Sequence, residues 1–216
     1  MKKIISAKEA VNLIKEGSSV MIGGFLSCGT PDNLIDALVE QGTKNLTMIS
    51  NDTSVPNTDR GKLVENKQLK KVITSHIGTN PETGKQLLAG ELEVDLVPMG
   101  TLFEKIRSKG AGLGGVLTPT GVGTFIEENK ETVEIDGKKF IFDKALGADF
   151  ALIYGTKVDK YGNISYIGTT RNCNTVMATA ADTVIVQADE LVDALDPNEV
   201  IVPGLFIDYI VVREEN

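Results

Sequence analysis

Two spacings of apolar residues alternate along the first half of the chain. An apolar run at residues 19–22 is followed by Leu34, Ile35 and Leu38, which have the three- and four-residue spacing of a buried helix face. Further runs at 46–50, 72–74 and 94–97 precede polar loops, and a helix is predicted over 101–109. Strands that alternate with short helices predict an α/β fold, with a mainly parallel sheet and helices on both faces.

Side chains that can cap helices mark two helix starts near the amino terminus. Ser6 and Glu9 have the spacing of a capping box, in which each satisfies a backbone N–H group of the first turn. Thr30 is predicted to cap the next helix and Pro31 to occupy its first position.

The pattern changes after Lys109, where turn-forming residues become frequent. Asp136-Gly137 separates the apolar runs 132–135 and 140–142, which is a strong signal for a β-hairpin. A second hairpin is predicted between 151–156 and 164–167, and strands return at 184–186 and 207–212. We therefore expect one domain over residues 1–216, with an inserted β-hairpin region.

Composition excludes several classes of protein. The chain has 216 residues, 41% of them hydrophobic, and a net charge of −8, which disfavours a nucleic-acid-binding role. Two cysteines allow neither a disulfide framework nor a zinc-ligand spacing. No apolar run approaches the ~18 residues of a membrane span, and the amino terminus lacks the apolar segment of a signal peptide. A cytoplasmic protein without membrane association is expected.

The glycine-rich turn at residues 23–29 is the most informative local feature. It directly follows the predicted strand 19–22 and precedes a helix, so its backbone N–H groups are predicted to face a ligand. Its spacing matches neither the dinucleotide-binding fingerprint nor the P-loop. Asp32 would also compete for the positive end of the helix. A purely structural turn is therefore the alternative interpretation.

Other reactive side chains have simpler interpretations. His76 is the single histidine, and its loop lacks the carboxylates of a metal site, so we expect no metal and a structural role. Cys28 is predicted to pack, although a reactive thiol is conceivable. Arg171 is predicted either to bind a phosphate or carboxylate or to form an internal ion pair. Solvated surface charges are predicted for Arg60, Lys62, Arg107 and Lys109.

Blocks along nearly the whole chain resemble the alpha subunits of two-subunit acyl-CoA:carboxylate CoA-transferases. Within that family, the likeness is to enzymes that use butyrate, acetoacetate or acetate. The blocks occur in order over residues 20–25, 29–31, 50–52, 75–84, 90–93, 110–115, 117–124 and 171–174.

The resemblance implies a ping-pong reaction that passes CoA between a short-chain acyl-CoA and a carboxylate. A glutamate of the beta subunit would carry the covalent intermediates. Glu91 and Glu93 lie in an alpha-type block and do not match the beta-subunit motif, so we expect no nucleophile in this chain. CoA is then a substrate, no permanent cofactor is implied, and the expected assembly is α2β2.

The resemblance also assigns binding roles within this chain. Asn51 matches a position near the substrate carboxylate, where its amide could donate to an oxyanion; a strand-end turn residue is the alternative. Met99 stands where many relatives have Gln, and we hypothesise an acyl pocket more tolerant of apolar chains. The residues that match the CoA-binding segment are Gly23, Gly24, Phe25, Leu26, Ser27, Cys28 and Gly29.

Two other functions fit an α/β fold of this size. One is a non-catalytic module that senses a sugar phosphate or a nucleotide without a partner. The other is a sugar-phosphate isomerase, which would need a base beside a phosphate loop in one chain, and the sequence assigns none.

Overall fold

A nine-stranded sheet forms the centre of the molecule in the computed structural model, which describes residues 1–214. The strand order is β1-β12-β11-β9-β2-β3-β4-β5, with β10 paired to β9. Its strands are β1 (Lys3–Ile4), β2 (Ser19–Ile22), β3 (Leu46–Asp52), β4 (Leu69–His76), β5 (Glu93–Leu96), β9 (Ala148–Asp159), β10 (Ile164–Ser165), β11 (Ala181–Val192) and β12 (Tyr209–Val212).

Strand pairing in this sheet is parallel except between β9 and β10. Every strand predicted for it is present; β3, β4, β9 and β11 are longer than predicted, whereas β10 and β12 are shorter. The hairpin predicted before Ile167 is also confirmed, because β10 pairs antiparallel with β9. Because the strands are parallel, the carboxyl ends of β2, β3, β4 and β5 lie side by side. We call this row of strand ends the carboxyl edge of the sheet.

Helices cover both faces of the sheet, which confirms the predicted fold class. They are α1 (Ala7–Val11), α2 (Asp32–Gln41), α3 (Gly61–Glu65), α4 (Pro81–Leu88), α5 (Met99–Gly110) and α6 (Asn174–Met177). Within residues 1–214, no helix is both long enough and apolar enough to span a bilayer.

Side chains of β2 alternate between two buried clusters, one on each face. Val20 and Ile22 pack in the cluster that includes buried residues of α1, α2 and α3, whereas Met21 packs with residues of α5 and α6. Successive strand residues point to opposite faces, so an apolar run without polar interruptions is what a strand covered on both sides requires.

The region after α5 contains a separate three-stranded antiparallel sheet, of order β6-β8-β7. It comprises β6 (Gly115–Thr118), β7 (Thr132–Ile135) and β8 (Lys138–Lys144). Asp136 and Gly137 both have positive φ, of 51° and 72°, as the predicted two-residue turn requires. The predicted inserted hairpin is therefore confirmed.

The predicted Ser6–Glu9 capping box is present, whereas the cap predicted for the second helix is not. Helix α2 begins at Asp32, and its N-cap is Pro31. The Thr30 hydroxyl instead donates to the carbonyl oxygen of Leu26 at 2.8 Å, so it closes the preceding glycine turn. Helices α3, α4 and α6 are not among the predicted helices, although Asn80 caps α4.

Candidate functional site

The glycine turn and the loop after β3 meet at the carboxyl edge. Leu26 N–H donates to Asp52 Oδ2 at 2.9 Å, which joins the two segments directly. Asp52 is the last residue of β3 and lies opposite His76, the exposed last residue of β4. This edge is where open parallel sheets bind ligands.

Arg60 lies at the centre of this junction, and the prediction that it is a solvated surface charge is wrong. Its side chain is 0% exposed, and its Nη2 forms an ion pair with Asp52 Oδ1 at 2.8 Å. The guanidinium also donates to the carbonyl oxygens of Gly23, Gly24 and Leu26, at 3.1, 3.3 and 3.2 Å. Because a guanidinium has five N–H donors and no acceptor, this one side chain can bond several backbone carbonyl oxygens at once.

The carboxylate of Asp52 is fully used by this junction. Besides Arg60 and Leu26 N–H, it accepts from Asn51 Nδ2 at 3.0 Å and from Ser54 N–H at 2.8 Å. Burial by itself raises the pKa of Asp52, but the Arg60 charge and these hydrogen bonds outweigh it and lower that pKa below its usual value. Asp52 is therefore ionised and engaged rather than available as a nucleophile.

Of the other predicted surface charges, Arg107 and Lys109 lie at the surface, and Lys62 is half-buried. Arg107 pairs with Glu104 at the surface, and Lys109 is exposed. Lys62 is half-buried against Asp36, at 2.5 Å.

The glycines of the turn leave room for other atoms of the protein itself. A Cβ atom on Gly23 would lie 1.8 Å from Asn174 Oδ1, and one on Gly24 would lie 2.1 Å from Thr30 Oγ1. A Cβ on Gly29 would lie 2.3 Å from the carbonyl oxygen of Thr170. Internal close packing is therefore sufficient reason for these glycines, and the close approach of a ligand to them stays a prediction.

Most N–H groups of the turn are likewise bonded within the chain. Gly23 donates to the carbonyl of Leu152, Gly24 to Asn172 Oδ1, and Phe25 and Cys28 to each other's carbonyl oxygens. Together with Leu26, this leaves the N–H groups of Ser27 and Gly29 without an acceptor within residues 1–214. Ser27 is exposed at the tip of the turn, so its N–H group is open to a ligand, whereas Gly29 is buried.

Asn51 is buried, at 3% exposure, directly beside Asp52. Its amide nitrogen donates one hydrogen bond to Asp52, and Ser75 Oγ donates to its Oδ1 at 3.1 Å. An amide nitrogen carries two hydrogens, so one remains for a further acceptor. The fixed geometry suits a preorganised donor, and its role towards a substrate stays a prediction.

A groove with a volume of about 610 Å³ opens beside the turn. The turn Gly168–Arg171 borders it and is attached to the glycine turn, since Asn172 Nδ2 donates to the carbonyl of Cys28 at 3.0 Å. Arg171 is exposed there. None of the lining residues is acidic; they are Phe25, Cys28, Gly168, Thr169, Arg171 and Asn172.

The glutamates of the block 90–93 lie at the opposite edge of the sheet. Glu93 begins β5 and is in register with Lys71, five residues before His76 on β4. At about 3.3 Å per residue, that places Glu93 roughly 16 Å from the carboxyl edge. Glu91 pairs with Lys67 at the surface. Neither glutamate is positioned to react at the groove.

Met99 and the potential metal ligands complete the survey of predicted residues. Met99 is the first residue of α5, just after β5, and is 47% exposed at the carboxyl edge. Within residues 1–214, no cluster of three or more His, Cys, Asp or Glu side chains could hold a metal ion.

Comparison with known proteins assigns the family. Residues 4–213 match the family described as Coenzyme A transferase. The chain is 47% identical to the acetate CoA-transferase subunit alpha of Escherichia coli, over 99% of this chain and 98% of the relative. It is 54% identical to the acetoacetyl-CoA:acetate/butyrate CoA transferase alpha subunit of Clostridium acetobutylicum, over 97% of each chain.

A solved structure shows the same fold. It is an acyl-CoA transferase of Escherichia coli O157:H7 in a thioester complex with CoA, with a TM-score of 0.86 and 24% identity. The superposition covers 98% of this chain and 47% of that one, so this chain corresponds to about half of the longer protein. On the family match and the two relatives, this chain belongs to the coenzyme A transferase family.

Proposed function

We propose that this chain is the alpha subunit of a heteromeric CoA-transferase that exchanges CoA between short-chain acyl-CoA or acetoacetyl-CoA and acetate, butyrate or acetoacetate. The observation that carries the proposal is the 54% identity, over 97% of each chain, to an alpha subunit named for those substrates. A partner beta subunit, in an α2β2 assembly, completes the enzyme. CoA is a substrate, and no permanent cofactor is required.

The proposed reaction runs through the partner's glutamate. Its carboxylate attacks the thioester carbonyl and expels CoA thiolate, which leaves a mixed anhydride. The thiolate then attacks the glutamyl carbonyl of the anhydride, giving a glutamyl-CoA thioester and the free carboxylate. A second carboxylate reverses these steps, so one difficult exchange is divided into easier ones.

The absence of an acidic residue around the groove supports a nucleophile from another chain. Asp52 is held by Arg60, and Glu91 and Glu93 lie at the far edge of the sheet. This chain would therefore supply binding surfaces and hydrogen-bond donors, while the reacting carboxylate enters the groove from the partner.

The donors in this chain fit a role in holding CoA and the acyl oxygen. The open N–H group of Ser27 lies at the exposed tip of the segment 23–29, which we assign to CoA. The remaining N–H of the Asn51 amide is assigned to the substrate carboxylate or to the oxyanion that forms from the thioester. Its fixed hydrogen bonds to Asp52 and from Ser75 would keep it preorganised.

Activity of the separate and combined chains tests the proposal. Three samples would be expressed: this chain alone, the product of the neighbouring reading frame alone, and the two together. Transfer of CoA from acetoacetyl-CoA to acetate or butyrate is expected only when both are present, and light scattering should give two copies of each chain. Transfer by this chain alone would contradict the division of roles. Binding of a sugar phosphate or nucleotide by an inactive lone chain would favour the sensor alternative.

A further inference from the structure

Arg171 is the cation of the groove beside the glycine turn. Its neighbours there include the half-exposed aromatic ring of Phe25, and most of the surrounding surface is apolar. An ion pair is stronger beside apolar walls than in open water, because less solvent screens it. A ligand anion that enters this groove therefore meets one positively charged side chain in a favourable setting.

The backbone of Arg171 is held in place rather than carried on a loose loop. Thr169 Oγ1 lies 3.2 Å from Cys28 Sγ, and Asn172 bonds both the N–H of Gly24 and the carbonyl of Cys28. Asn174 Nδ2 adds a hydrogen bond to the carbonyl of Gly29 at 2.9 Å. The turn that carries Arg171 and the glycine turn thus form one connected unit.

The charge of Arg171 has no carboxylate partner among the described residues. The other arginines, Arg60, Arg107 and Arg213, each pair with an acidic side chain. The two acidic side chains that bond the glycine turn have partners of their own: Asp52 pairs with Arg60, and Asp59 accepts from the hydroxyl of Ser27 at 2.6 Å. The internal ion pair considered from the sequence is therefore not formed within residues 1–214.

We infer that Arg171 binds an oxyanion group of the substrates, either a phosphate of CoA or the carboxylate of the acid. This inference rests on the proposed function. A guanidinium offers two parallel N–H donors that match two oxygens of either group. In a chain with a net charge of −8, a cation positioned in the groove also counters the general repulsion of an anionic substrate.

Steady-state kinetics of the complex with its partner test this inference. The variants are Arg171→Gln and Arg171→Ala, with Arg171→Lys as the charge-keeping version and Arg107→Gln as the matched control. Arg107 is also exposed, but it pairs with Glu104 away from the groove. Size-exclusion chromatography would show whether each variant assembles with the partner. If one neutral variant does not assemble, the other still tests the inference.

The substrate series distinguishes the two sources of the oxyanion. Each variant is assayed with acetoacetyl-CoA, acetoacetyl-dephospho-CoA and acetoacetyl-pantetheine, and with acetate and butyrate as acceptors. If Arg171 binds a phosphate, the neutral variants should raise KM for acetoacetyl-CoA about tenfold or more and leave KM for acetoacetyl-pantetheine unchanged. If it binds the carboxylate, KM for both acids should rise by that factor instead. The Lys variant should recover part of the loss.

Several outcomes would overturn the inference. One is a pair of neutral variants with wild-type KM for every thioester and acid. Another is a uniform fall in kcat with all substrates, without a selective change in KM. A wild-type complex that transfers no CoA would instead defeat the proposed function, so the two failures can be distinguished.

Discussion

The two edges of the main sheet use charged side chains in opposite ways. At the carboxyl edge, the Arg60–Asp52 pair is buried, with side chains 0% and 2% exposed. Towards the opposite edge, Lys67 pairs with Glu91 at 60% and 49% exposure. Both pairs have nearly the same separation, 2.8 and 2.7 Å, so distance does not distinguish them.

Because one pair is buried and the other is exposed, the two pairs differ in how much stability is lost when each is broken. An exposed ion pair adds little stability because water and salt screen it. A buried pair loses its hydration, and removal of one partner leaves an uncompensated charge, so breaking it is strongly destabilising. The carboxyl edge therefore depends on a polar network that holds the glycine turn, whereas the other edge can lose its charges without consequence for the groove.

Replacing the cation of each pair should give the largest difference in the free energy of unfolding. Arg60→Met leaves Asp52 buried without its cation and releases the carbonyl oxygens of the glycine turn, so we expect a loss of roughly 3–5 kcal/mol in the free energy of unfolding. Urea denaturation of the full chain measures it. Lys67→Met is the matched control and should not move the urea midpoint measurably. Equal effects of the two variants would refute the comparison.

The pH dependence of stability should isolate the carboxylate of the buried pair. Because folding lowers the pKa of Asp52, its contribution is present at neutral pH and lost as the pH falls through about 3.9 towards the lower folded value. Asp52→Asn removes that contribution and leaves Arg60 without its counter-charge. We expect the variant to be less stable than wild type at pH 7 and the gap to narrow below about pH 4. A gap that does not change with pH would show that Asp52 does not act through its charge.

Close packing of the glycine turn can be tested by adding one methyl group. Gly23→Ala places a Cβ atom against Asn174 Oδ1, and the forced shift should cost roughly 1–3 kcal/mol of stability and lower kcat/KM of the complex. Gly84→Ala is the control, because a Cβ there meets nothing within 4 Å and lies inside α4. It should stabilise the chain slightly. Wild-type behaviour of Gly23→Ala would mean that the turn adapts freely.

Met99→Gln should give the smallest effect and concerns specificity rather than stability. The side chain is half-exposed at the carboxyl edge, and an amide there can donate where a thioether cannot. One added hydrogen bond corresponds to a shift of roughly 2- to 10-fold in the kcat/KM ratios among acetate, butyrate and acetoacetate. Unchanged kcat/KM ratios among the three acids would contradict the hypothesis that Met99 shapes the acyl pocket.

Local pattern predicted most of the strands because the causes of a strand are largely local. The buried strands follow from apolar runs, and the turn at Asp136-Gly137 follows from two residues that tolerate positive φ. The sequence prediction lacks α3, α4 and α6, although Asn80-Pro81 is a cap followed by proline at the first helical position of α4.

The site was harder to predict because its contacts join distant segments. Arg60 lies in a polar loop, and nothing near it in sequence indicates that Gly23, Gly24 and Leu26 converge on it. The glycine turn was recognised, but its close neighbours Asn174 and Thr170 are about 150 residues away along the chain. Sequence pattern therefore indicated which segments form the candidate site and did not show how they pack together.

In the proposed enzyme, this chain binds the substrates while its partner carries the covalent chemistry. Intact-mass analysis of the complex, incubated with acetoacetyl-CoA and no acceptor acid, tests it most directly. We predict that the partner gains the mass of CoA less one water and that this chain is unmodified. A CoA adduct on this chain, or an active complex whose partner never gains one, would contradict the account.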